Sequence, residues 1–196
     1  MSQKIPPSLL RWALPPRKFR YVRVGFAGDF ALPRLVVEET WGDPVVRDGD
    51  VTFRRTSRVD GQQQRVIEDA LVGYGPDGLM DLGTWDRAGV LSLWDPPQLV
   101  LPCDPVIGMT WESEHTQGDT HSHRSVEVVK SPTYQNGLMV LATSKRASGM
   151  LVMRSHYVEG EGFCGFEALA RTPERPSVRM WSETVTITQR HGLTEM

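Results

Sequence analysis

The sequence is poor in the features that would announce a specialised class of protein. It has two cysteines, Cys103 and Cys164, which match no metal or redox spacing and are expected to be free thiols in a reducing cytoplasm. No apolar run approaches the ~20 residues of a membrane-spanning helix. The opening MSQKIPPSLLRWALPPRK, broken by prolines, lacks an apolar segment of signal-peptide length. Charge of one sign is missing too: 22 Lys and Arg against 24 Asp and Glu leave a net −2, which gives no electrostatic case for nucleic acid or an anionic membrane. The one local excess, Arg11, Arg17, Lys18, Arg20 and Arg23 interleaved with Trp12, Phe19 and Tyr21, reads as a solvated arm.

What is present is strand after strand. The 196 residues, 39% hydrophobic and 23% charged, suit one soluble domain with a sizeable core. Residues 1–19 read as a Pro-rich N-terminal arm and 20–196 as a single β-barrel domain. RLVVEET and VTFRRTS are β-branched runs divided by turn signals. RVIEDALVGYG is ambiguous, since Val66, Ile67, Ala70 and Leu71 also fit a helix face. The second half alternates more cleanly, and Asn136-Gly137 before an apolar run signals a hairpin. Turn signals recur every ~8–12 residues, as in an all-β sandwich or barrel. The predicted fold is an antiparallel barrel of about eight or more strands with at most a short helix.

Period-two alternation assigns faces. Leu138, Val140 and Ala142 oppose Met139, Leu141 and Thr143; Leu151, Met153, Ser155 and Tyr157 oppose Val152, Arg154, His156 and Val158. In the last strand Arg179, Trp181, Glu183, Val185 and Ile187 share one face. Apolar residues on both faces suit an apolar lumen with an outer surface covered by a helix, an arm or a second subunit, so a homodimer is an expected assembly.

WDPPQLVLPCDPVIGMTWESE, through Pro97, Leu99, Leu101, Pro102, Gly108 and Trp111, resembles a segment of bacterial β-barrel and half-barrel proteins. SHYVEGEGFCGFEAL resembles their later Tyr and Gly-rich turn, through Tyr157, Gly160, Gly162, Gly165 and Phe166. The resemblance covers roughly the second half of the chain. It implies a lipocalin-like, lipoprotein-carrier-like barrel, similar also to small barrels encoded beside actinobacterial polyketide and enediyne assembly genes. The role it implies is binding of an acyl or polyene-like molecule.

The chemical motifs are incomplete. HSHRSVE matches the His-x-His-x-x-x-Glu part of the first cupin motif, so His121, His123 and Glu127 form an alternative site for a metal-dependent oxygenase, isomerase or cyclase. The flanking glycines and the second cupin motif are missing. There is no Gly-x-Ser-x-Gly. Gly160, Gly162 and Gly165 fit Gly-x-Gly-x-x-Gly spacing, but prolines follow too soon for a phosphate-binding helix, and a strand bulge is expected. Glu38-Glu39 places two acids side by side, and Glu112/Glu114 and Glu159/Glu161, near turns, read as solvated rims.

The leading expectation is therefore a non-enzymatic carrier that needs no cofactor and crosses no membrane. It would hold a hydrophobic molecule among Trp85, Trp94, Trp111, Met139, Leu141, Met153, Tyr157, Phe166 and Trp181, with Arg154 or His156 orienting a polar head group.

Overall fold

The computed structural model describes residues 5–47, 50–62, 65–172 and 175–190. One short helix, α1 (Pro7–Trp12), precedes β1 (Pro16–Ala27), β2 (Phe30–Ala31), β3 (Leu35–Trp41), β4 (Val45–Arg47), β5 (Asp50–Val59), β6 (Val66–Tyr74) and β7 (Gly78–Trp85). There follow β8 (Leu91–Pro102), β9 (Thr110–Gln117), β10 (Thr120–Lys130), β11 (Gly137–Arg146), β12 (Gly149–Val158), β13 (Gly162–Thr172) and β14 (Arg175–Arg190). The ambiguous segment 65–75 is thus a strand. The stretch read as an arm contains α1 and the start of β1.

Strands pair in chain order, and β14 returns to β1, closing an antiparallel barrel of 12 strands; β2 and β4 are short flaps on β1 and β5. Closure depends on a bare backbone. A Cβ at Gly25 would lie 2.4 Å from the Arg179 carbonyl oxygen, so only glycine lets β14 approach there.

The cross-strand registers carry one face round the wall. Phe53 pairs with Val72 and Val72 with Asp81. Val126 pairs with Ala142, Ala142 with Met153, Met153 with Ala168, Ala168 with Met180 and Met180 with Gly25. Alternation predicts these faces for β11 and β12 but fails in β14. There Val22 pairs with Glu183 while Arg20 pairs with Thr186, so β14 holds one extra residue. The bulge reverses the faces: Trp181 and Glu183 point outward, whereas Val185 and Ile187 pack inward on Phe19, Tyr21 and Val37.

The end of the barrel where β1 begins is filled. Trp41, Phe53 and Tyr74 form an aromatic triad with centroids 5.6–6.3 Å apart. Leu79, Leu101, Val128, Leu138 and Tyr157 complete this floor, into which α1 inserts Leu9 at 0% exposure. The helix is pinned by a bond from Gly160 N to Arg11 O at 2.6 Å and by the Arg11–Glu159 ion pair. Gly160 and Gly162 take positive φ in the β12–β13 turn, with a register shift following, so this Gly-rich stretch is the expected bulged corner. The β10–β11 connection is a longer loop than Asn136-Gly137 suggests, because Lys130 pairs with Leu138.

The outer face carries ion pairs between neighbouring strands, such as Lys18–Glu38 at 2.8 Å and Arg54–Asp69 at 2.6 Å. Arg20 likewise pairs with Asp60, so the basic cluster at the N-terminus is largely neutralised along β1. A lipid-facing barrel would carry an apolar band there. Among the described residues, no helix is long and apolar enough to cross a membrane.

Candidate functional site

Above its apolar floor the lumen changes character. On β5, Val51, Phe53, Arg55, Ser57 and Val59 share the inner face, so Arg55 is carried inside by the same alternation that buries its neighbours. Glu39 on β3, Glu68 on β6, Asp81 on β7 and Arg124 on β10 act on it or on one another electrostatically, which makes an ionisable belt. Arg55 forms an ion pair with Glu68. Glu39, 7% exposed, accepts from Trp41 Nε1 at 2.8 Å and Ser57 Oγ at 2.9 Å. Asp81 accepts from Gly83 N at 3.2 Å. Arg124 donates to the Leu99 carbonyl. Of the adjacent acids Glu38 and Glu39 only Glu39 is buried, because a strand cannot turn adjacent side chains to one side.

Each charge is set by its surroundings. Burial raises the Glu39 carboxyl above its ordinary range, against the pull of Arg55 and its two donors. Burial also raises Asp81, to about 6, with Arg55 opposing it and Glu68 adding to it. For Arg55, burial works against the cation, but Glu68, Glu39 and Asp81 outweigh it and hold the proton more firmly than usual. Burial lowers Arg124, with Asp81 opposing it. Tyr21 and Tyr157, also facing the lumen, are raised by burial.

Asp81 yields a sign-definite prediction. The folded protein keeps this proton up to about pH 6, whereas the unfolded chain releases it near the ordinary carboxyl value of 3.8. Stability therefore falls as pH rises between those values, and the full penalty stands above them. Asp81→Asn, which fixes the uncharged form, should raise stability at pH 8 by about 2–3 kcal/mol and change it little at pH 4. Urea titrations at the two pH values check this, and equal effects at both would refute it.

The inner face is not fully buried at mid-height. At Arg55 26% of the side chain is accessible, as is 48% of Glu68. On the facing wall Leu151, Met153, Ser155, Phe166 and Met180 are only half-buried although they point inward. Gly25, Ala142, Ala168 and Ala170 take up little of the space between. Twelve strands give a wider interior than the eight that side chains can just fill.

One seam of the wall differs from the rest. Between β8 and β9 a single residue pair, Asp95 with Thr116, keeps the ladder. Side chains hold the remainder: Thr116 Oγ1 donates to Asp95 O at 3.2 Å, Gln117 Nε2 to Ser92 O at 2.8 Å, and His115 Nδ1 lies 2.8 Å from Pro96 O. Trp94, at 6% exposure, stands edge-on to His115.

The structure divides the residues expected to bind a ligand. Trp94, Trp111, Met153, Tyr157 and Phe166 face the interior, Tyr157 within the solid floor and Phe166 edge-on to Tyr21 at 5.7 Å. Trp85, Met139, Leu141, Arg154, His156 and Trp181 face outward: Arg54 lies over Trp85, Arg154 pairs with Glu167, and Trp181 stacks on Phe26. Arg154 and His156 are therefore not at the mouth of the lumen. The lumen is not uniformly apolar either, because the belt crosses it. His121, His123 and Glu127 share the outer face of β10, so they do not form an interior cupin centre. Among the described residues no group of three His, Cys, Asp or Glu is placed to hold a metal.

Sequence reasoning missed Arg55, Glu68, Asp81 and Arg124. The signal for Arg55 was available: in VTFRRTSRV, one of two adjacent arginines must point inward if Val51, Phe53 and Val59 do.

No family model, curated protein or solved structure matches this chain. The lipocalin-like expectation is met at the level of an all-β closed barrel.

Proposed function

We propose that the protein binds a small molecule in the middle of its lumen. The supporting observation is Arg55: a cation held inside a barrel, accessible from the lumen, above a floor that is solid. The ligand's apolar body would lie over Met153, Phe166 and Met180, where burial supplies ~25 cal/mol per Å² before ordering costs. Its head would meet the belt. Three carboxylates against two guanidiniums disfavour a second anion there, so the head group that fits is a neutral oxygen acceptor, such as the carbonyl of an ester, amide or thioester. An acyl or polyene-like molecule of that kind suits the space better than a free fatty acid.

Met153→Trp tests this reading, because it narrows the lumen without touching the belt. An apolar fluorescent dye should bind the wild-type chain with one-to-one stoichiometry, and at least ~10-fold more weakly after the substitution, a loss of about 1.4 kcal/mol. Native mass spectrometry after incubation with an acyl ester should follow the same order. Dye binding that is absent, or indifferent to Met153→Trp in a protein with an unchanged melting curve, would sink the proposal.

A further inference from the structure

The outside of the wall carries a second concavity. A groove of about 630 Å³ runs along the outer faces of β12, β13 and β14, with Tyr134 of the β10–β11 loop at its lower end. Val152, Leu169 and Trp181 line it from the outer face, and Phe166, Ala168 and Met180 of the same strands border it as well. It has a built donor at one end and a surplus of cations at the other.

The donor is His156, 4% exposed, with the Tyr134 ring packed 5.7 Å away. Its Nδ1 lies 3.1 Å from Ser131 Oγ. That oxygen already accepts from Thr133 N at 3.3 Å and Tyr134 N at 3.1 Å. With both lone pairs used, the Ser131 hydroxyl must donate to Nδ1, which leaves the ring proton on Nε2. Nε2 makes no hydrogen bond among the described residues. Its nearest acid, Glu167 Oε1, is 3.8 Å away and is engaged through its other oxygen by Arg154 at 2.9 Å. Burial lowers the imidazole's proton affinity, with Arg154 adding to this and Glu167 opposing it, so the ring presents one neutral N–H to the groove.

The cations are Arg171 and Arg179, which have no ion-pair partner among the described residues and are exposed along the same lining. His156 pairs across the sheet with Gly165, and Arg179 with Leu169. Four residues of strand separate those two positions, about 13 Å at ~3.3 Å per residue.

We propose that this groove is a second binding site, independent of the lumen, for an elongated apolar molecule bearing a carboxylate at one end and a neutral oxygen acceptor about 13 Å away. The carboxylate sits between Arg171 and Arg179, the apolar body covers Val152, Leu169 and Trp181, and the far oxygen accepts from His156 Nε2–H. Its chemistry is opposite to that of the belt, where an anion is disfavoured.

Isothermal titration of the full chain with ω-hydroxylauric acid, lauric acid and the matching diol tests it. The hydroxy acid should bind most tightly. Arg179→Gln, an exposed and tolerable change, should weaken both acids at least ~10-fold and leave the diol unchanged. His156→Leu should abolish the advantage of the hydroxy acid over lauric acid, and His156→Gln should restore part of it. Met153→Trp, which closes the lumen, should leave all three titrations as they were. Acid binding that survives Arg179→Gln, or that disappears in Met153→Trp, would overturn the assignment; the latter would place the acid in the lumen instead.

Discussion

Arg55→Met should cost the protein about 3–5 kcal/mol near pH 8, the most of any single charge removal in the wall. The length and apolar stem of the side chain are preserved, so the loss is electrostatic. Glu68 loses its ion-pair partner, and Glu39 and Asp81 lose the cation that opposes their burial. Without that cation Glu39 and Asp81 take up protons more readily, and the sign of the pH dependence follows. The deficit should be large above about pH 6, where the folded state must keep Asp81 charged, and should shrink as acid neutralises the group. Arg55→Lys should recover part of the stability by restoring a charge, though without the guanidinium's geometry. Adding Glu68→Gln to Arg55→Met should be less damaging than two independent losses, because the second change removes a carboxylate that the first left unpaired. Denaturant titrations at pH 5 and pH 8 decide the matter. A loss below ~1 kcal/mol, or one indifferent to pH, would mean that the belt is not energetically coupled.

Leu9→Ala should cost a further order of 2–5 kcal/mol. The helix that carries Leu9 is one of six residues, too short to persist alone, so it is held by what it buries. Alanine keeps the helical propensity but leaves a hole in the floor beneath Trp41, Phe53 and Tyr74. The expected signature is a lower melting temperature together with easier proteolysis around residues 5–15. Lumen binding should decline less than stability, since the belt and the facing Met153 wall lie above the floor. A variant as stable as the parent would show that α1 merely rests on the barrel end.

The architecture was legible because alternation and turn chemistry are local. Leu138, Val140 and Ala142 declare a face on their own, and the same logic carried through Leu151, Met153, Ser155 and Tyr157. It failed at two kinds of place. In β14, no residue type marks the bulge between Glu183 and Thr186, so the assignment of Val185 and Ile187 went with Trp181 when the ladder to β1 had reversed it. In the lumen, polarity itself misled: Glu39, Arg55 and Asp81 look like surface residues in composition, and only cross-strand pairing reveals that they meet. His156 was singled out as a ligand-facing residue, but for the wrong side of the wall. Its partner Ser131 lies 25 residues away, within a loop whose fold the sequence does not announce.

The seam between β8 and β9 gives the barrel an unusual kind of editability. At other joints the backbone does the joining, and the chemistry is the same whatever side chains are present. At this joint the bonds come from Thr116, Gln117, His115 and Arg124 reaching for carbonyls of β8. Through Thr116 and Gln117 such a joint can be loosened or tightened one residue at a time, without touching Arg124 and the rest of the belt. Selection could thus adjust how readily the wall parts while leaving what the lumen recognises unchanged.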